Sequence, residues 1–262
     1  MKIHVLGCHG SDVLVSRNGT THSCSTCSFL LDDSVLLDAG TVGNKLSLEA
    51  QARIRHILLS HLHFDHIKGL PTLADNLSEQ GLPPLVVAGS PEVIKGLHDH
   101  LFNNEVYPDF FKIPTVAHPV LTTEQLAVGR PYQAGKFMCT PIPVNHTVPT
   151  MGFLVEDSQS AILYSGDTFM TDEMWKVAKP HPLLKAVFLE CSYPDELEDL
   201  ARISRHLTPS LFGKELAKLS RPDVKVYAYH LKPIHKEKIS EQLMRLNLPN
   251  LVILEEGQIL EV

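Results

Sequence analysis

The chain has 262 residues, 44% of them hydrophobic and 20% charged, with 23 Lys and Arg against 30 Asp and Glu for a net charge of −7. Such a length buries roughly 70–75% of its unfolded surface, so neither a disulfide nor a metal is required merely to fold. The acidic balance and the lack of a basic block argue against a protein built to grip long nucleic acid, and no run approaches the roughly 18 apolar residues of a membrane span.

From the N-terminus, strands are predicted over 2–6, 28–31, 35–37, 54–59 and 85–88, each a short β-rich run bounded by turn residues. A helix over 92–101 follows Ser90-Pro91, a cap residue with Pro at the first helical position. The Pro-rich stretch 108–131 reads as an irregular excursion, a lid over a site. Strands follow over 137–144, 151–155 and 161–164, a helix over 173–179, a strand over 186–189, and a helix over 210–219 behind Thr208-Pro209. A strand over 225–229, a helix over 236–246 and a strand over 251–254 complete the series. No linker or repeat interrupts it, so one domain over 1–262 is expected, an α/β or α+β sandwich.

Five cysteines, Cys8, Cys24, Cys27, Cys139 and Cys191, form an odd set. The N-terminal apolar stretch is too short for a secretion-signal core of about 7–15 residues. A reduced, cytoplasmic protein is therefore expected. Cys24 and Cys27, with His22 and Cys8, could hold a structural zinc, although a lone CxxC more simply means free thiols.

The densest chemistry follows the apolar strand ending at Leu59, where His61, His63, Asp65 and His66 fall within six residues. Three imidazoles and a carboxylate exceed what one tetrahedral zinc can use once a water position is reserved. Two metals sharing a water are the economical reading, with further ligands from distant strand ends. His146, Asp167 and His230 each stand where a predicted strand yields to a loop. Taken singly, a strand-end His or Asp is more often a turn residue or a satisfied core group.

In this order the residues resemble the ligand series of metallo-β-lactamase-fold hydrolases, and Leu36-Leu37-Asp38-Ala39-Gly40 resembles that fold's early strand and turn. The resemblance implies a four-layer αβ/βα sandwich with a dinuclear site at one sheet edge. His61, His63 and His146 would hold one metal, Asp65, His66 and His230 the other, with Asp167 bridging. His63 at the motif's second position, where flavodiiron oxidoreductases carry Glu, argues against that branch. Zinc is the expected metal, with Mn²⁺ or Fe²⁺ as alternatives.

In the C-terminal half, the segment from Leu189 to Tyr193, His206 ahead of Thr208-Pro209, and His230-Leu231-Lys232-Pro233 are similar to class II cyclic-nucleotide phosphodiesterases. So are Leu101-Phe102-Asn103-Asn104 and Tyr107-Pro108-Asp109-Phe110. This implies hydrolysis of a 3′,5′-cyclic nucleotide to the nucleoside monophosphate by water activated between the metals. Asp65, His206 and Glu190 are the catalytic residues in this reading. His206 is the acid for the leaving oxygen and Glu190 orients it, at positions similar to the acid dyad of tRNA 3′-processing ribonucleases. The alternative for His206 is a cap on the helix that follows.

Two Zn²⁺, two Asp and one hydroxide would leave one positive charge, matched to a monoanionic diester. The expected partner is thus a small anionic phosphodiester; a homodimer is compatible with the reading. RNA processing is the second reading, weakened because the interval from His146 to Asp167 is too short for the tRNA-gripping arm that some relatives insert there. Lactone or thioester hydrolysis on the same fold is the third, and leaves Glu190 and His206 without a task.

Overall fold

Apolar runs pair into two seven-stranded sheets in the computed structural model. Residues 1–17 and 20–262 are described, and the side chains of Arg17, Thr20 and His22 lie outside that description, so the histidine of the Cys24/Cys27 reading does too. The first sheet runs, edge to edge, Leu121–Gln125, Leu85–Gly89, His56–Leu58, Val35–Leu37, Ser28–Leu31, Lys2–Gly7 and Ile259–Glu261. The second runs Tyr132–Ala134, Phe137–Pro143, Met151–Glu156, Ala161–Tyr164, Leu184–Glu190, Lys225–Tyr229 and Leu251–Ile253.

Strand alternation divides the core. Leu37, Leu58 and Ala88 face the other sheet, whereas their neighbours Leu36, Ile57 and Val87 face outward into a helix-covered layer. Burial on both faces is why these strands read as continuous apolar runs. Between the sheets, Phe29 meets Tyr164, Phe188 and Tyr229 edge-on at centroid distances of 5.6, 5.6 and 5.4 Å, the favoured aromatic geometry. Helices Gly69–Leu77 and Pro91–His100 cover the first sheet through residues such as Leu70, Leu73 and Leu97. Helices Glu173–Ala178, Pro209–Leu219 and Lys236–Arg245 cover the second through Trp175, Phe212 and Leu243. The layers are αβ/βα, as expected.

Both helix starts marked by Pro hold. The Ser90 hydroxyl accepts from the Val93 amide at 3.2 Å and the Thr208 hydroxyl from Leu211 at 3.5 Å. Thr208, not His206, is therefore the cap, which removes that alternative for His206. Trp175 is buried in its helix and donates its indole N–H to Glu215 Oε2 at 2.7 Å.

The stretch 108–131 is not a lid. Its Leu121–Gln125 segment pairs in parallel with Leu85–Gly89 as the edge of the first sheet, and Phe110, Leu121 and Leu126 are buried. Pairing supplies the backbone with partners that proline-rich composition alone does not suggest. The sequence reading also passes over the hairpin Val13–Arg17 with Thr20–Cys24, the strand Ile259–Glu261, and the helices Gly69–Leu77 and Glu198–Ser204. The five cysteines are buried and in no disulfide. Burial pushes the Cys139 thiol up to about 12, and Cys8 and Cys27 donate to the Leu254 and His9 carbonyls at 3.5 and 3.6 Å. Among the described residues no cysteine joins a metal-sized group.

The topology positions the site. Val35–Leu37, His56–Leu58 and Leu85–Gly89 run parallel in one sheet, and Ala161–Tyr164, Leu184–Glu190 and Lys225–Tyr229 in the other. Parallel strands bring their C-terminal ends to one edge, where ligands bind in open α/β sheets.

Candidate metal centre

Asp38, His61, Asp167, Glu190 and His230 all lie at or just after those C-terminal strand ends. Several turns there are unusual. Asp38 and His230 take φ of 55° and 66°, and Gly166, beside Asp167, takes 60°. Left-handed backbone at residues other than glycine is held only where surroundings enforce it, and it collects at functional sites. Gly40 is forced by space, since a Cβ there would run into the carbonyl oxygens of Asp65 and Cys27.

The structure brings together all seven residues expected to bind metal. His61, His63, His146 and Asp167 present ligand atoms within 4.8 Å of one another; Asp65, His66 and His230 do the same, as do Asp167, His206 and His230. Asp167 Oδ2 is common to both halves, at 3.7 Å from His61 Nε2, 3.3 Å from His66 Nε2, 3.4 Å from His230 Nε2 and 4.0 Å from His146 Nε2. His146 Nε2 faces His63 Nδ1 at 3.1 Å, and His66 Nε2 faces His230 Nε2 at 3.3 Å. Two buried atoms in the middle, His61 Nε2 and Asp167 Oδ1, have no hydrogen-bond partner. Native proteins rarely leave buried polar atoms so, and divalent cations would satisfy both.

Protonation divides along the same lines. Burial lowers His61 far below the usual histidine value, lowers His63, and brings His146 down to about 4. These three are neutral at pH 7, the form that ligates. Burial works against a charge on His66, but the Asp167 and Asp38 carboxylates overcome it and raise its pKa. Asp65 and Asp167 lie below the usual carboxylate range; burial opposes this, and His230 and His66 outweigh it. A cation entering the second half must therefore displace a proton.

Outer contacts decide which nitrogens face inward. Asp38, fully buried, accepts from Ser60 N and Ser60 Oγ at 2.7 Å each, from His66 Nδ1 at 2.7 Å and from Tyr164 OH at 2.6 Å. With the Ser60 proton committed to Asp38, Ser60 Oγ accepts from His61 Nδ1 at 2.9 Å. His146 Nδ1 donates to the Arg205 carbonyl at 3.0 Å. Nε2 of His61, His66 and His146 is thereby left for the centre, the usual way outer hydrogen bonds orient ligating histidines. Sequence reasoning noted Asp38 only as part of a strand-turn pattern and assigned it no role. Asp38→Asn is expected to weaken divalent-metal binding about 10–100-fold, read by competition with a chelating dye; unchanged affinity would count against this role.

Glu190 ends its strand fully buried. Its Oε1 accepts from His206 Nδ1 at 2.7 Å and from the Thr168 amide at 3.1 Å. Burial opposes a charge on His206, yet the Glu190 carboxylate prevails and raises its pKa. The His206 ring stacks on His230 at a 5.3 Å centroid distance, which sets it over the second half of the centre. His98, His100 and His118 take no part in it, with His98 packing on Phe111 instead.

The model of the Beta-lactamase superfamily domain matches residues 34–230. A probable 3′,5′-cyclic-nucleotide phosphodiesterase of Yersinia pestis is 28% identical over 185 residues, 64% of this chain and 52% of that protein, so the match spans about half of the relative's length. Ribonuclease Z of Bacteroides fragilis is 27% identical over 260 residues, 94% of this chain and 74% of that protein. The crystal structure of unliganded yeast PDE1 superposes with a TM-score of 0.81 at 19% identity, over 100% of this chain and 99% of that one. This last likeness is one of fold.

Proposed function

The chain belongs to the beta-lactamase superfamily and is a hydrolase of the metallo-β-lactamase fold, and on that premise we propose that it hydrolyses a 3′,5′-cyclic nucleotide to the nucleoside monophosphate. The observation that carries this reading is the His206–Glu190 pair, 2.7 Å apart and set over the metal-competent cluster. Cleavage of a ribose ester expels a poor leaving group, which requires a positioned acid; thioester hydrolysis on the same cluster, which expels a stable thiolate, would not.

In this reading His61, His63 and His146 would hold one divalent cation and Asp65, His66 and His230 the second, with Asp167 available to both. Zinc is the proposed metal, since imidazole with carboxylate suits it, with Mn²⁺ or Fe²⁺ as alternatives. When bound, the pair supplies Lewis acidity toward the phosphodiester and a water that ionises near neutral pH. The residues of the chain do the rest. Asp38, Ser60 and the Arg205 carbonyl hold ligand nitrogens in place, and Glu190 keeps the His206 proton on Nδ1 while favouring the imidazolium. His206 then gives the Nε2 proton to the departing ribose oxygen. The buried thiols, none in a disulfide, fit a cytoplasmic setting, and no helix among the described residues is long and apolar enough to cross a membrane.

The alignment to ribonuclease Z over 94% of the chain favours RNA 3′-end processing as the second reading. A turnover panel of cyclic AMP, cyclic GMP, a 2′,3′-cyclic nucleotide, bis(p-nitrophenyl) phosphate, a lactone and a precursor tRNA separates the two. A 3′,5′-cyclic nucleotide is expected to give nucleoside monophosphate and no inorganic phosphate, because a dianionic monoester overcharges a site with one net positive charge. Cleavage of precursor tRNA without cyclic-nucleotide turnover would replace the first reading with the second. Steady phosphate release would overturn the charge argument.

A further inference from the structure

Ser192 lies two residues beyond Glu190 with its side chain fully buried. Its hydroxyl is within reach of three groups the proposed chemistry needs: Glu190 Oε2 at 2.9 Å, His230 Nδ1 at 2.8 Å and His206 Nδ1 at 3.1 Å. A serine hydroxyl has one proton to give and two lone pairs. Glu190 Oε2 at 2.9 Å is a nearer acceptor than the His230 carbonyl at 3.4 Å, so the proton goes to Glu190. The oxygen then accepts from His230 Nδ1, and the His206 Nδ1 proton goes to Glu190 Oε1 at its shorter 2.7 Å contact.

We propose that Ser192 is a positioning residue whose hydroxyl couples the His206–Glu190 acid pair to the metal centre, fixing His230 with Nε2 toward Asp65 and Asp167 while steadying the Glu190 carboxylate. This rests on the phosphodiesterase reading for its acid half only. Among the described contacts His230 Nδ1 has no other hydrogen-bond partner, so without the hydroxyl nothing assigns its proton to that nitrogen. Glu190 Oε2 would keep only the Leu207 amide at 3.4 Å. The Ser192 backbone is a junction in its own right. Its amide donates to the Leu207 carbonyl at 3.0 Å and its carbonyl accepts from Lys232 at 3.3 Å, tying the His206 loop to the His230 loop. Side-chain substitution leaves these bonds in place, so it interrogates the hydroxyl and not the junction.

The test uses the full chain with Ser192→Ala and the isosteric pair Ser192→Thr and Ser192→Val, of which only Thr keeps the hydroxyl. Zinc affinity is read by competition with a chelating dye, and turnover is compared on cyclic AMP and bis(p-nitrophenyl) phosphate. Ser192→Ala is expected to weaken one of two zinc equivalents about 10–100-fold, the usual scale for an outer contact to a ligand, and to slow cyclic AMP more than the nitrophenyl ester. Ser192→Thr should restore both properties relative to Ser192→Val; this comparison decides if the alanine variant does not fold. Wild-type zinc affinity in Ser192→Ala, or equal behaviour of the Thr and Val variants, would overturn the proposal. If the wild type leaves cyclic AMP intact, the phosphodiesterase reading fails, while the zinc measurements still decide the role of Ser192 toward His230.

Discussion

His206→Ala is expected to slow cyclic-nucleotide hydrolysis by about 10²–10⁴, the scale of general acid catalysis, and to cost much less on bis(p-nitrophenyl) phosphate. The contrast follows from the leaving groups. A ribose alkoxide departs badly without a proton, whereas p-nitrophenolate is stable as the anion and needs no acid. Glu190 raises the His206 pKa and accepts its Nδ1 proton, so Glu190→Gln should give the same substrate-selective pattern more weakly. Metal content should stay at the wild-type level in both variants. Equal losses on the two substrates would make His206 a binding residue rather than an acid. Metal loss would make it a ligand, an outcome with a geometric basis, because His206 also lies within reach of Asp167 and His230. The assignment of His230 would then be reopened.

Asp167→Ala is expected to act differently, reducing the occupancy of both metals and the rate on every substrate. One oxygen, Oδ2, lies within 3.3–4.0 Å of His61, His66, His146 and His230, so its removal takes a shared ligand from both halves. Without metal it also strips His66 of a carboxylate that offsets its charge, and unpairing buried charge is costly, typically about 3–5 kcal/mol. Metal analysis should show sub-stoichiometric binding for both equivalents, with no preference between cyclic nucleotide and nitrophenyl ester. A variant that retains a single tightly held metal and near-normal turnover would remove the dinuclear reading.

Much of this site is legible in the order of the residues. His61, His63, Asp65 and His66 fall within six residues, running from a strand end into the short helix Phe64–Ile67, and local spacing suffices to mark them. His146, Asp167 and His230 each follow an apolar run whose alternation identifies a strand, so their places at one edge follow once the strands are seen to be parallel. Runs that are apolar on both faces announce the layered core. Local patterns do not report pairing partners. The segment Leu121–Gln125 sits among prolines and gains its order from a ladder with Leu85–Gly89, a contact no window of sequence contains. The outer contacts of the centre are hidden for the same reason. Asp38 draws on Tyr164, 126 positions away, and Ser192 on His230 and His206, 38 and 14 positions away. Sequence by itself determines which side chains can ligate or donate protons and which strand ends carry them. Tertiary structure decides which nitrogen of His66, His146 and His230 faces inward, because that choice is made by the hydrogen bond at the other nitrogen, and the group that makes it comes from a distant part of the chain.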